Sequence, residues 1–211
     1  VGLVRSAGLV VEIARQEEGA GVTGLSSSQR LYLGMINQAL AAHPKWSYLD
    51  PAWIMTIMYK ESGYNPLAGP NGAGRYDGLM QVIPSTAAQM ASIYGIPAGP
   101  QTDPMTSILS GIATLDDYAR GYIKAWNTVS LDLWILVKSY NGGLKNLLPN
   151  PNPPATAQWL ANVARYLADF QAQLPVIEEQ MAATAKVMPR LAHWAPLRRR
   201  SVMPLLTENG R

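Results

Sequence analysis

The chain has 211 residues, with 17 Lys and Arg against 14 Asp and Glu, two His and no Cys. The lack of Cys excludes a disulfide framework, a thiolate metal site and a Cys nucleophile, and His43 and His193 lie too far apart in sequence to suggest a His cluster, so neither a metal nor a cofactor is expected. A hydrophobic share of 48% excludes a disordered chain, and a net charge of +3, with Arg198, Arg199 and Arg200 bunched at the tail, lacks the basic stripe of a nucleic-acid binder.

Helical periodicity predominates along the chain. Leu3–Glu18 is predicted as a modest helix ended by Gly19-Ala20-Gly21. Arg5 and Glu12 leave too few uncharged residues between them for a secretory core, and no stretch approaches the roughly 20 apolar residues of a membrane span. Ser26, Ser27 and Ser28 offer an N-cap for a helix to Ala42, with Leu31, Met35, Ile36 and Leu40 on one face and His43-Pro44 as its stop. Asp50-Pro51 supplies a cap and a first-turn proline for a helix through Ser62 that Gly63 terminates. Leu67–Asp77 is a Gly/Pro/Asn loop, and a short extended segment is expected beside it over Tyr76–Val82. Ser85–Tyr94 is a short helix, and Asp103-Pro104 repeats the cap-plus-proline device for a long helix to Ala125. Ser130 is predicted to cap a further helix ending at Asn141-Gly142-Gly143. A proline-rich connection, Leu148–Pro154, leads to a strong helix over Ala155–Leu174, then a weaker one over Pro175–Ala195 and a Pro/Arg-rich tail. The expected fold class is all-α, or α-dominated α+β. A helical extension at 1–45 is expected to pack on a central domain at 46–174, followed by a helix and tail at 175–211.

Ile54, Ile57, Met58 and Glu61 fall on one face of the second helix of this core. Glu61 thus continues an apolar stripe and sits in the last turn. Burial and the negative end of the helix dipole both disfavour its carboxylate, which raises the pKa. A carboxylic acid still protonated at neutral pH is what general acid catalysis needs. On the helix alone, however, the ordinary outcome for a terminal Glu is to turn outward to water.

The surrounding runs change that balance. Glu61-Ser62-Gly63-Tyr64-Asn65-Pro66 is followed across the glycine loop by Gly78-Leu79-Met80-Gln81-Val82-Ile83-Pro84-Ser85-Thr86-Ala87. Asp103-Pro104 stands ahead of Ile108, Gly111 and Leu115, and Val137-Lys138-Ser139-Tyr140-Asn141-Gly142-Gly143 comes later. In this order the runs resemble the family 23 lytic transglycosylases, with their E-S-x-x-N-P, G-L-M-Q-x-x-P-x-T-A and A-Y-N-A-G motifs, over about Asp50 to Phe170. Ser107 and Thr114 replace an Asn and a Tyr of the family, Thr156-Ala157-Gln158-Trp159 replaces its E-T-x-x-Y-V, and the stretch from Glu61 to Gly78 is longer than usual.

The resemblance implies a lysozyme-like globule and a peptidoglycan lytic transglycosylase with Glu61 as its single catalytic acid/base. Glu61 would protonate the oxygen between N-acetylmuramic acid and N-acetylglucosamine, then accept the proton of the muramoyl C6 hydroxyl as a 1,6-anhydro ring closes. With an internal nucleophile the second carboxylate of an ordinary glycosidase is dispensable. The resemblance also implies that Gln81 and the backbone from Gly78 bind acetamido groups, with Met80 divided between contact and core. It assigns Tyr140 to lining the cleft and orienting the acid, and Asn141 to shaping the helix end. Ser62 is read as a cap or a support behind Glu61, and Tyr64 and Tyr76 as rings for sugar faces. Two alternatives stay open. One is a muramidase of goose-type-lysozyme character, with Asp77, the only acid between Glu61 and Asp103, activating water. The other is a catalytically silent wall-binding module of a phage tail or secretion machine. The expected partner is the peptidoglycan strand, with phage virion or secretion-apparatus proteins beside it, and neither nucleic acid nor a membrane span. Since that substrate lies outside the cytoplasm and no secretory core is seen, a phage protein, virion-borne or released at lysis as a bacteriolytic enzyme, is the expected source.

Overall fold

A computed structural model of the chain describes residues 24–69, 77–128, 130–147, 156–187 and 203–204. The helix predicted at Leu3–Glu18, the glycine loop at 70–76 with Tyr76, the proline-rich connection and most of the Pro/Arg tail lie outside the described residues. Within them the fold is all-α, with α1 (Ser27–Ala42), α2 (Pro51–Ser62), α3 (Pro84–Tyr94), α4 (Pro104–Trp126), α5 (Leu133–Gly142) and α6 (Ala157–Val187). Short 3₁₀ turns lie at Pro44–Trp46 and Leu144–Leu147. Two-residue strands β1 (Ser130–Leu131) and β2 (Met203–Pro204) pair antiparallel. Of the extended segment predicted over Tyr76–Val82, the described part is a single antiparallel bridge between Asp77 and Val82, with a turn between them.

Local chemistry sets most helix ends. Ser26 and Gln29 form a reciprocal capping box at α1. Asp50 accepts from the Ala52 N–H at 2.8 Å ahead of Pro51, and Asp103 from the Thr106 N–H at 2.8 Å ahead of Pro104. Gly63 ends α2 at φ +60°, where a side chain is strained. The α5 cap differs from expectation. It is Asp132, which accepts from the Trp134 N–H at 2.9 Å, whereas Ser130 pairs with Pro204.

The break predicted at Pro175 does not occur, and α6 runs through it to Val187. Proline there removes one bond, to the Gln171 carbonyl, at about 3 kcal/mol. Both residues are exposed, so water serves that carbonyl. Phe170, Leu174, Ile177 and Met181 are all buried on the opposite face, at about 1.5–3 kcal/mol each, and the burial wins.

α2 is the central element, with Ile54, Met55, Thr56, Ile57 and Met58 at or below 1% exposure. It packs against α6 on one side and α1 on another, while α4 contacts α1, α3 and α5. A buried hydrogen bond of 2.9 Å from the Leu25 N–H to Thr184 Oγ1 ties the approach to α1 onto the far end of α6. A second polar anchor lies in α4, where buried Asp116 receives the hydroxyls of Tyr48 at 2.7 Å and Tyr94 at 2.8 Å and the Nε of Arg120 at 2.6 Å.

Candidate functional site

Glu61 lies where α2 ends against α6. Tyr166 of α6 donates its hydroxyl to Glu61 Oε1 at 2.6 Å. Burial pushes the Glu61 carboxyl up to about 7, against the opposing pull of the Tyr166 hydrogen bond and the Lys60 charge. The raised pKa expected from the helical stripe is therefore present, with desolvation as its largest cause. Ser62 does not reach the carboxylate in this arrangement; its Oγ donates to the Met58 carbonyl at 3.0 Å and closes the last turn of α2.

The turn over residues 78–81 forms the next layer. Gly78 has φ +74°, and a Cβ there would come within 1.7 Å of the Gln101 carbonyl oxygen, so only glycine fits. The Gly78 N–H donates to the Ala68 carbonyl at 2.8 Å. Gln81 holds φ +49°, an uncommon conformation for a residue with a side chain. Its Nε2 donates to the carbonyls of Ala68 at 3.0 Å and Gly78 at 2.8 Å, which braces the turn from within. The Met80 N–H donates to Ser107 Oγ at 3.0 Å, and this gives a purpose to the serine that stands in place of the family Asn.

Two expectations are revised here. The Met80 side chain is fully buried against Gly111, where an added Cβ would meet it at 2.6 Å. It is core, and its main-chain N–H and carbonyl are taken up by Ser107 and Tyr140. Tyr140 was expected to orient the acid, yet its hydroxyl donates to the Met80 carbonyl at 2.8 Å. The geometry favours this because Tyr140 leaves the end of α5 beneath the turn. Burial and the nearby Glu61 charge push the Tyr140 phenol well above its usual range. Tyr140 thus bonds the Gly78–Gln81 turn near Glu61, while the hydroxyl on the acid is that of Tyr166.

The remaining candidates fall around this centre. Asn141 is exposed at the end of α5. Its neighbour Gly142 packs so closely on α6 that a Cβ would lie 2.2 Å from the Trp159 ring. The contact is part of the packing of α6, which carries Tyr166, against α5. Tyr64, at φ +66°, packs its ring on Tyr59 at a centroid distance of 5.7 Å and on the core. A ring so engaged is a poor platform for a sugar. Asp77 is held by its backbone bridge to Val82. Tyr76 lies outside the described residues. Among the described residues no group of three or more His, Cys, Asp and Glu side chains could hold a metal ion.

Tyr166 was not identified from sequence. Val163, Tyr166, Leu167 and Phe170 read together as the core face of a helix. The available signal was chemical: a tyrosine on an apolar face needs a partner for its hydroxyl.

No helix among the described residues is long and apolar enough to cross a membrane. No match to the chain was found among curated proteins. The transglycosylase SLT domain matches residues 40–152, a little over half of the chain, and takes in Glu61, the Gly78–Gln81 turn and Tyr140 but not Tyr166. The chain belongs to the transglycosylase SLT domain family, the peptidoglycan lytic transglycosylases of lysozyme-like fold.

Proposed function

We propose that the protein cleaves the β-1,4 bond between N-acetylmuramic acid and N-acetylglucosamine in peptidoglycan strands, with Glu61 as sole acid and base. The observation that carries this reading is a half-buried carboxyl at the end of α2, gripped on one oxygen by a phenol, with burial pushing its pKa up to about 7. Near neutral pH such a group holds its proton about half the time, so it can both give and take one. In the first step the Glu61 proton passes to the bridging oxygen as the C1–O bond breaks. In the second the muramoyl C6 oxygen bonds to C1, and its proton returns to the Glu61 carboxylate. No water is consumed, and the acid is regenerated. The Tyr166 hydroxyl favours the carboxylate formed between the two steps, since it donates to Oε1.

In this reading the 78–81 turn walls the cleft in which acetamido substituents bind. Gln81, Ser107 and Tyr140 hold that turn in shape by bonding the main chain of Gly78 and Met80. Ser62 supports the end of α2, and Asn141 the end of α5. The test is mass spectrometry of muropeptides from purified sacculi. Products should end in 1,6-anhydromuramic acid, one water lighter than hydrolytic products and without a reducing end. Reducing muramic acid ends would replace this reading with a hydrolase.

A further inference from the structure

Two consecutive residues of α2, Lys60 and Glu61, both reach α6, and Tyr166 lies between them. Its hydroxyl meets Glu61 Oε1 at 2.6 Å, while the Lys60 Nζ stands 5.7 Å from its ring centroid. The same Nζ bonds Asp169 Oδ2 at 2.9 Å, one turn along α6 from Tyr166. Lys60 is thus committed to two residues of the helical turn that delivers the phenol. Its side chain is only 20% exposed, against 55% for Asp169, so the ammonium is the better-shielded partner. Asp169 and Tyr166 both lie beyond the segment that matches the family.

We infer that Lys60 and Asp169 form a positioning pair that seats Tyr166 on Glu61 and sets, through the balance of their two charges, the pH at which the acid loses its proton. The inference rests on Glu61 being the acid. Three phenols accompany these charges: Tyr166 from α6, Tyr140 from α5 and, beside Tyr140, Tyr118 from α4. Burial keeps Tyr140 and Tyr166 protonated far beyond neutral pH, so among the described residues the adjustable charges beside the acid are those of Lys60 and Asp169. A positive charge beside Glu61 favours its carboxylate, and the counter-ion of that charge weakens the effect.

The experiment compares pH–rate profiles on purified sacculi for wild type, Lys60→Met, Asp169→Asn, Lys60→Arg and Glu61→Gln. Loss of activity on the alkaline side reports deprotonation of the acid. In Lys60→Met that limb should move up by a few tenths of a pH unit, with turnover falling a few-fold as Tyr166 loosens. In Asp169→Asn it should move down by less, since the lysine charge is then uncompensated. Lys60→Arg keeps the charge and should restore the wild-type limb. A merely structural pair would slow both variants without shifting their limbs in opposite directions. Limbs that stay in place, or move together, overturn the inference while an inactive Glu61→Gln leaves the acid intact. Wild-type activity in Glu61→Gln would instead overturn the acid and this inference with it.

Discussion

Two carboxylates are shielded in this molecule, Asp116 fully buried and Glu61 half-buried, and their surroundings differ in the way that separates an anchor from a reagent. Asp116 receives three donors, two phenols and a guanidinium, and ties the loop at Tyr48 and the end of α3 to α4. Its charge is matched and its lone pairs are occupied, so it has little left to offer a ligand. Among the described residues Glu61 receives one neutral side-chain donor, and the cation beside it is turned toward Asp169. Burial outweighs both that bond and the Lys60 charge. The lesson is that depth alone does not make an acid reactive; what matters is how incompletely the fold answers its charge.

The sharpest way to break the comparison is to remove each carboxylate. Glu61→Gln keeps the shape and can still accept from Tyr166, but it cannot transfer a proton. Activity on sacculi should fall by about 10³–10⁴-fold or more. Stability should move the other way. The Glu61 pKa is near 4.5 in the unfolded chain and about 7 in the fold, so the folded state holds the extra proton between those values. Wild-type stability therefore declines as pH rises through that window, and the loss is complete above about 7. Gln removes it, so the variant should be the more stable protein at pH 8, by at most about 3 kcal/mol, and no more stable than wild type at pH 4. Thermal unfolding at the two pH values checks the sign.

Asp116→Asn should give the reverse pattern. One amide oxygen cannot serve two phenols and a guanidinium, and the loss is about 3 kcal/mol of folding stability. Turnover per folded molecule should stay near wild type, since Asp116 and Glu61 share no hydrogen-bond partner among the described residues. A denaturant titration run beside the sacculus assay separates the two effects. Activity that collapses while the unfolding midpoint stays put would show that Asp116 belongs to the site.

The two tyrosines sharpen the picture at a smaller scale. Tyr166→Phe removes the phenol's hydrogen bond to the acid, worth about 0.5–1.5 kcal/mol, so turnover should fall roughly 3–10-fold. Because that bond lowers the Glu61 pKa, its loss should also move the alkaline limb upward. Tyr140→Phe frees the Met80 carbonyl instead and should raise KM more than it lowers kcat, with the limb unmoved. Equal limb shifts in both variants would mean that the two phenols share the acid.

The contrast between these tyrosines also shows what was legible in the sequence. Asp50-Pro51 and Asp103-Pro104 announced their helices because a cap and a first-turn proline act within one turn of chain. The apolar stripe of Ile54, Ile57 and Met58 made Glu61 a candidate, but on the helix alone an outward turn was the ordinary outcome, and the flanking motifs carried its selection. Ser130 misled because Asp132, two residues on, is an equally good cap, and the choice depends on pairing with distant residues 203–204. Pro175 misled because the cost of a proline is local, whereas the burial that overrides it comes from the packing of the whole helix. Tyr166 was illegible because its meeting with Glu61 joins residues 105 apart along the chain, and only the packing of α6 on α2 and α5 creates it.

The smallest expected effect is at Asp77, and it bears on the mechanism itself. An inverting hydrolase needs a second carboxylate about 6.5–9.5 Å from the acid, on the opposite face of the sugar, to activate water. Asp77 is the only acidic residue between Glu61 and Asp103, which made it the candidate for that role. Its backbone pairs with Val82 and closes the base of the turn that Gln81 braces from inside. A backbone role survives a change of side chain. Asp77→Asn should therefore keep its turnover within about twofold of wild type, as surface substitutions outside a network usually cost little. Its products should carry the same 1,6-anhydro ends. If Asp77→Asn instead lost activity as deeply as Glu61→Gln, and the wild-type muropeptides proved to be reducing, then both carboxylates would act on water and the site would be that of a muramidase.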